Sequence, residues 1–184
     1  MKNLILLTAL LFLISFSTST AQTLKGDRLI GGSGSFSAGD QTTSFNLRPS
    51  MSWFVIDNVA IGGYISYSYY NYSSGSAHTH SFSLGPAFRY YLTKEGKLRC
   101  FTYANFGMNS NFLTYNREKE TNTNFSAGLG LGLAYFITNQ VALEARAGYS
   151  LNNAFNIDYE AQHRFALSFG FQIHLNSNKQ SAEQ

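Results

Sequence analysis

Residues 163–175 read HRFALSFGFQIHL, and the side chains alternate without a break between two chemical kinds. The large apolar residues of the stretch are Phe165, Leu167, Phe169, Phe171, Ile173 and Leu175. The polar or small residues between them are Arg164, Ala166, Ser168, Gly170, Gln172 and His174. Because successive side chains of a strand point to opposite faces, a period of two predicts one extended strand with two different faces.

Seven further segments have similar lengths, and breaks rich in Gly, Asn, Asp, Ser, Thr and Lys separate them. The segments cover residues 28–37, 44–56, 59–72, 79–93, 98–110, 125–137 and 141–151. Short turns at residues 57–58, 94–96 and 138–140 alternate with connections that tend to be longer. This order predicts eight antiparallel strands joined up and down, with the last strand closing a barrel against the first.

Two of these strands have an ambiguous facing. In residues 28–37, which are rich in Gly and Ser, Ile30 and Phe36 mark the apolar parity. In residues 98–110, Phe101 and Tyr103 fall on the parity opposite to the other large apolar residues. Their placement indicates either a bulge or an interior filled with aromatic rings. Residues 111–122 are expected to form the longest and most charged loop.

The positions of the charges decide which face meets water. Every lysine lies in the N-terminal segment, a turn, a loop or a strand end, and the charges well within strands share a face with Ser and Gly. These strand charges are Arg48, Arg89, Arg99, Glu144 and Arg146. A face of this kind lacks the density of Lys and Glu that covers a soluble barrel. It suits the narrow lumen of a transmembrane barrel, where we expect Gly128, Gly130 and Gly132 to leave room for arginine side chains.

The two ends of the sequence predict the processing and the limits of the barrel domain. Residues 1–21 have a positive start, an apolar run and a small-residue cleavage site, as in a signal peptide. We expect residues 22–27 to form a short N-terminal segment, residues 28–175 the barrel and residues 176–184 a polar tail. Cys100 is the single cysteine, which excludes an intramolecular disulfide.

The whole pattern resembles the small outer-membrane β-barrel family, that is, the OmpA/OmpX-like eight-stranded barrels of the outer membrane protein beta-barrel domain. The resemblance spans about residues 27–175 and implies an all-β, eight-stranded antiparallel up-and-down transmembrane β-barrel in the outer membrane. It also implies short periplasmic turns and longer extracellular loops, with residues 22–27 as a short periplasmic segment and residues 176–184 as a polar periplasmic tail. The alternation from Leu167 to Leu175 resembles the signal that the outer-membrane assembly machinery reads, although the usual terminal Phe is replaced by Leu175 and a polar tail.

The strand charges predict what the lumen does. Arg89, Arg99, Glu144 and Arg146 lie near the short turns, so they should meet in the lower half of the lumen. Together with Arg48 they are expected to form a charge network that plugs the barrel, because buried charges need partners. That network favours an envelope-structural or surface-interaction role. The alternative is a narrow, weakly anion-preferring pore for small solutes, since Arg outnumbers Glu.

A third hypothesis is a lipid-modifying enzyme of the outer membrane. His78, His80 and Ser81 lie toward the loop end, with Asp158 and Glu160 near the same rim, but a nucleophile needs a base within hydrogen-bond reach. The His-x-Ser-Asn pattern of deacylase barrels is absent, and we expect no enzymatic activity. His78 and His80 make a weak metal site without further ligands, so neither a metal nor a cofactor is expected.

Composition and loop charges predict the partners. Charged residues are 12% and aromatic residues 16% of the 184 residues, and the net charge of +3 includes no basic run that would indicate nucleic-acid binding. The expected partners are the lipid bilayer, lipopolysaccharide and the assembly machinery, with the protein a monomer. Candidates for extracellular contacts are Arg117, Lys119, Asp158 and Glu160.

Overall fold

The computed structural model describes residues 23–39, 42–72, 77–93, 95–115, 118–152 and 162–175. Eight strands form a closed antiparallel barrel in which each strand pairs with its neighbours in sequence and β8 pairs with β1. The strands are β1 Arg28–Ala38, β2 Thr42–Ile56, β3 Val59–Tyr72, β4 Ala77–Tyr91, β5 Leu98–Tyr115, β6 Glu118–Phe136, β7 Val141–Asn152 and β8 Gln162–Leu175. The predicted fold class and the strand count are confirmed.

The alternation in β8 has the predicted direction. Phe165, Leu167, Phe169 and Phe171 point outward and are between 51% and 69% exposed, whereas Gln172 and His174 point inward and are buried. Large apolar side chains cover the outer face of the other strands in the same way. In β1, Ile30 and Phe36 also point outward, so the apolar parity that they mark is confirmed.

Within the described residues, the closing contact between β1 and β8 is the shortest ladder of the barrel. It runs from Arg28 opposite Leu175 to Gly34 opposite Phe169. The ladder between β5 and β6, in contrast, runs without interruption from Leu98 opposite Tyr135 to Tyr115 opposite Glu118. The predicted pairing of the first and last strands is confirmed.

The irregular pattern in β5 reflects an interior filled with aromatic rings. The register of β5 against β4 and against β6 has no shift, so the strand contains no bulge. Phe101 is fully buried in the lumen, and Tyr103 packs against the same buried cluster. A register shift occurs instead in the β2–β3 ladder, between Phe54 and Ile56, next to the turn at residues 57–58.

The expectation of a long loop over residues 111–122 is wrong. β5 continues to Tyr115 and β6 begins at Glu118, so the connection is reduced to residues 116–117. Polar residues such as Asn111 and Thr123 can extend a hairpin, because paired strands satisfy their backbone groups wherever water can solvate the side chains. The polar composition therefore marks the end of the apolar outer face and not the end of the strands.

The lower end of the barrel, where the short turns lie, is covered by residues 23–27. Gly26 N–H donates to Phe54 C=O (2.8 Å), and Asn58 N–H donates to Thr23 C=O (2.9 Å). Thr23 and Asp27 are buried. The N-terminal segment is thus held against the β2–β3 hairpin, directly beneath the lumen.

The expected signal peptide, residues 1–21, and the polar tail, residues 176–184, lie outside the described residues. Within the described ranges, no helix is long and apolar enough to cross a membrane. Cys100 is a free cysteine that is partly exposed.

Candidate functional site in the barrel lumen

The lower half of the lumen contains an ion-paired cluster centred on Glu144. Arg89 Nη1 contacts Glu144 Oε1, and Arg89 Nη2 donates to Glu144 Oε2 (3.1 Å). Arg146 donates to the same Oε2 from Nε (3.0 Å) and from Nη2 (2.5 Å). The carboxylate is completely buried and the two guanidinium groups nearly so. Charge-assisted, forked contacts of this kind fix the geometry of all three side chains.

The backbone explains why these three side chains meet. Glu144 and Arg146 are two residues apart on β7, so both point into the lumen. Arg89 reaches them from β4, on another part of the barrel wall. Because Arg89 and Arg146 both contact one carboxylate, the cluster keeps a net positive charge of one at neutral pH.

A layer of aromatic rings supports this cluster. The guanidinium carbon of Arg89 lies 4.2 Å from the ring centroid of Phe101, a cation–π distance. The Phe101 ring in turn occupies the space beside Gly132, where an added Cβ would approach Phe101 Cε2 to 2.6 Å. Tyr103 fills the space beside Gly130 and Gly148 in the same manner. The expectation that the β6 glycines leave room for arginine side chains is therefore wrong. Aromatic rings from β5 take the space at Gly130 and Gly132, and the Asn105 side chain of β5 lies nearest at Gly128.

Arg99 lies lower, at the end of the lumen. Its side chain is completely buried, with Nη1 donating to Thr23 Oγ1 (3.4 Å) and Nε donating to Gly96 C=O (3.4 Å). Its guanidinium carbon lies 5.0 Å from the ring centroid of Phe136. Arg99 thus joins the N-terminal segment to the barrel.

Arg48 lies higher than the ion-paired cluster. Its guanidinium carbon is 3.5 Å from the ring centroid of Tyr64, and within the described part of the chain the guanidinium has no hydrogen-bond acceptor. The structure therefore brings Arg89, Glu144 and Arg146 into direct contact and places Arg48 apart from them.

Several lumen residues that sequence reasoning did not single out complete the lower layer. Phe54, Tyr91 and Phe136 are each 1% exposed and join Phe101 in one apolar cluster, and Tyr91 also accepts a hydrogen bond from Arg89 Nη1 (3.0 Å). In the sequence, each of these three is an aromatic residue on the Ser- and Gly-rich parity close to a short turn, and this position could have indicated a place in the lumen. These rings fill the lumen where charges alone would leave gaps.

Two polar side chains of β8 lie in this lower layer. Gln172 and His174 are 1% and 0% exposed. His174 contacts the ring of Phe136, with centroids 4.8 Å apart, and its Nε2 lies 3.4 Å from Tyr91 Oη. The Gln172 amide atoms and His174 Nδ1 have no hydrogen-bond partner among the described residues. Sequence reasoning placed both residues in the lumen without distinguishing them from the small residues of that face.

Above this layer the lumen contains a cavity of about 620 Å³, which we call the vestibule. Its walls are mainly Ser, Asn, Thr, Tyr and Gly residues of all eight strands. Arg48 and Arg164 also line it, whereas no carboxylate does so in the described ranges. Arg164 and Ala166 are exposed, so the vestibule reaches the upper surface of the barrel. The lumen is thus filled below and accessible above.

The residues considered for nucleophilic or metal chemistry are spread over both faces of the barrel wall. Ser81 lines the vestibule and contacts Asn111 Oδ1. His80 points to the outer face, where its Nδ1 lies 2.8 Å from Tyr67 Oη, and the His78 ring lies beside the His80 ring. A nucleophile and a base on opposite faces of one strand do not form a catalytic pair. No group of three or more potential metal ligands occurs within the described ranges.

Three of the candidates for extracellular contacts, Arg117, Asp158 and Glu160, lie outside the described residues. The backbone of Lys119 forms part of β6, near the upper end of the β5–β6 hairpin, and its side chain is not among the described parts of the structure.

Comparison with known proteins places this geometry among outer-membrane barrels. The structure is similar to that of Neisserial surface protein A (NspA), with a TM-score of 0.55 and 19% identity over 80% of this chain and 93% of that chain. It is also similar to the N-terminal β-barrel domain of Pseudomonas aeruginosa OprF (TM-score 0.54, 17% identity, 82% of this chain and 98% of that chain) and to P. aeruginosa OprG (TM-score 0.58, 10% identity, 85% and 99%). These likenesses concern the fold.

A comparison with curated protein sequences gave no significant match. The model of the outer membrane protein beta-barrel domain family matches residues 6–178, nearly the whole chain. The family and the similar structures point to the outer membrane as the location of the barrel. The chain belongs to the family of the outer membrane protein beta-barrel domain.

Proposed function

We propose that the protein is a non-conducting outer-membrane barrel with an envelope-structural or surface-interaction role, its lumen plugged by the Arg89–Glu144–Arg146 cluster and the aromatic layer around it. The observation that carries this proposal is the continuous burial of the lower lumen, where Arg99, Phe101 and His174 have no exposed surface. An eight-stranded barrel is just wide enough for side chains to fill its interior. A solute would have to displace a buried ion pair in order to pass.

The N-terminal segment adds a second barrier to passage. Thr23 accepts a hydrogen bond from Arg99 and donates one from Oγ1 to Asn58 Oδ1 (2.6 Å). Residues 23–27 therefore lie across the lower opening through contacts with two different parts of the barrel. Opening a pore would require the segment and the side-chain layer to move together.

A surface role is supported by the long β5–β6 hairpin, in which exposed polar residues such as Glu120 and Thr121 continue beyond the apolar outer face. Lipopolysaccharide and the bilayer are the partners that we propose for the outer face and the upper rim, and the assembly machinery the partner during insertion. We propose a monomer without enzymatic activity. The separation of His80 from Ser81 across the barrel wall supports the absence of a Ser–His site.

Planar-bilayer recording of the refolded protein tests the proposal. We expect no stable single-channel steps from the wild type. A variant in which Arg89 and Glu144 are both replaced by Ala and Phe101 is replaced by Gly is the matched positive control, because it removes the centre of the filled layer. Stable steps from the wild type, with a preference for anions, would instead establish the small-solute pore. A lipid A mass that changes on expression would establish the enzyme.

A further inference from the structure

The vestibule has the chemical composition of a binding site rather than of a filled core. Its volume of about 620 Å³ lies within the range of small-molecule sites, about 300–1,000 Å³. Hydroxyl and amide groups line it on every side, and part of that lining is internally ordered. Asn46 Nδ2, for example, donates to Ser66 Oγ (3.0 Å) and Ser68 Oγ (2.7 Å). The walls thus present many fixed groups that can donate or accept hydrogen bonds.

Arg48 differs from the other arginines of the lumen. Arg89 and Arg146 donate to Glu144, and Arg99 donates to Gly96 and Thr23. The guanidinium carbon of Arg48 instead lies 3.5 Å from the Tyr64 ring centroid, and no acceptor among the described residues meets its N–H groups. Stacking holds the planar guanidinium in one orientation and leaves its five donors available.

The charges around the vestibule favour an anionic ligand. Arg48 and Arg164 line the vestibule, and no carboxylate among the described residues lines it with them. Arg164 lies at the exposed upper end, where its Nη1 donates to Tyr70 Oη (3.4 Å). Below the vestibule, the Arg89–Glu144–Arg146 cluster carries a further net positive charge. A narrow passage lined by one sign of charge attracts the opposite charge into it.

We propose that the vestibule binds a small hydroxyl-rich oxyanion, a sugar phosphate or the phosphorylated end of a glycan, with the oxyanion on Arg48. A guanidinium binds a phosphate through two parallel hydrogen bonds, and the Ser and Asn side chains above Arg48 match the hydroxyl groups of a sugar. The filled layer beneath makes this a site with one entrance, so ligand enters and leaves at the upper end. Ligand binding in the vestibule would be a further function, beyond the proposed non-conducting role. Binding does not require conduction to be absent, so the binding experiment and the conductance experiment can fail independently.

Isothermal titration calorimetry on the detergent-refolded barrel tests the site. The probes are glucose 6-phosphate, glucose, inorganic phosphate and a delipidated, phosphorylated lipopolysaccharide oligosaccharide. We expect glucose 6-phosphate or the oligosaccharide to bind at least about tenfold more tightly than either glucose or inorganic phosphate. Glucose lacks the charge-assisted hydrogen bonds of the phosphate, and inorganic phosphate lacks the several hydroxyl hydrogen bonds of the sugar. Whichever of the two binds more tightly identifies the source of the ligand.

Substitutions locate the binding on Arg48. Arg48→Gln is expected to weaken binding at least about tenfold, and Arg48→Lys, which keeps the charge without the fork, is expected to weaken it less. The matched control is Arg28→Gln, because Arg28 is an exposed arginine of β1 outside the vestibule, and binding should be unchanged. An unaltered melting temperature confirms that each variant is folded.

Three results would overturn the proposal. These are the absence of binding by both phosphorylated probes, equal affinity for inorganic phosphate, and equal loss of affinity in Arg28→Gln and Arg48→Gln. If Arg48→Gln does not fold, Arg48→Lys decides the question, and undiminished binding by that variant would count against a role for Arg48.

Discussion

The guanidinium carbon of Arg89 lies 4.2 Å from the ring centroid of Phe101, and this contact joins the charged and the apolar parts of the lumen. One side of the arrangement is the Glu144 carboxylate, and the other is the backbone of β6 at Gly132. The Phe101 ring fills the space beside Gly132, and the Arg89 guanidinium lies against both the ring and the Glu144 carboxylate. The interior is therefore a stack of glycine, aromatic ring, guanidinium and carboxylate, in which a change at any level affects the others.

Replacing Glu144 tests the ion-paired cluster. Glu144→Gln keeps the shape of the side chain but leaves two buried guanidinium groups without a countercharge. Removing one partner of a buried pair costs about 3–5 kcal/mol. We expect the free energy of unfolding to fall by about that amount, measured by urea titration in lipid vesicles with Trp53 fluorescence. Glu120→Gln removes an exposed carboxylate from β6 and is the control. Equal stability of the two variants would contradict the structural importance of the cluster.

Substitution of two glycines on the same face of β6 tests the contact with Phe101. Comparing the two alanine variants separates a clash with the Phe101 ring from the general effect of adding a methyl group. In Gly132→Ala the new Cβ would overlap the Phe101 ring, whereas in Gly128→Ala the nearest atom would be the end of the Asn105 side chain at 3.2 Å. Overpacking of this kind costs about 1–3 kcal/mol. We expect Gly132→Ala to lower the midpoint of urea unfolding clearly more than Gly128→Ala does. The reverse order would show that Phe101 does not occupy this space.

Replacing Gln172 is expected to stabilise the barrel, in contrast to the substitutions at Glu144 and Gly132. Its amide atoms are buried without a hydrogen-bond partner among the described residues. A buried unsatisfied polar group costs about 1–3 kcal/mol, so an apolar side chain of similar size removes that cost. Gln172→Met is expected to raise the melting temperature in detergent, while Gln140→Met, at an exposed position in a turn, should leave it unchanged. A lower melting temperature for Gln172→Met would mean that the amide is satisfied in solution.

The outer face is tested by placing a charge on it at two heights of β6. Leu131 is 61% exposed and lies within the apolar band, whereas Thr121 is exposed on the same face of the upper, polar part of the strand. An arginine near the bilayer midplane costs about 2–4 kcal/mol, and an arginine near the interface costs about 0–1 kcal/mol. Leu131→Arg should therefore destabilise the folded barrel in vesicles, and Thr121→Arg should not. Similar effects at both positions would refute a difference in membrane depth.

Much of the fold could be predicted because the signal is strong along each strand. A period of two fixes the two faces, and the confinement of Arg48, Arg89 and Arg146 to the Ser- and Gly-rich face orients them. The ends of β5 and β6 could not be found in this way. Beyond the apolar outer face both sides of a hairpin meet water, so the alternation disappears while the backbone pairing continues to Tyr115 and Glu118.

The candidate site was less predictable, because its contacts cross the barrel. Sequence spacing places Glu144 and Arg146 on one face of β7, but it does not state which residue of β4 or β5 reaches them. Nor does it indicate that Phe101 would lie against Gly132, since that contact depends on the length of the side chain and on the register between the strands. The distinction between a paired Arg89 and a stacked Arg48 depends on the same packing.

The short ladder between β1 and β8 has consequences for how the barrel assembles and where it opens. Among the described residues, the ladder between the two strands runs only from Arg28 to Gly34 of β1, and these strands come from opposite ends of the barrel sequence. The loop-closure cost of a contact rises with the length of chain between its partners, while the ladder of paired residues formed here is shorter than any other in the described part of the barrel. Ring closure is therefore expected to be the last step of assembly, and this seam is where the wall should part first under mechanical load.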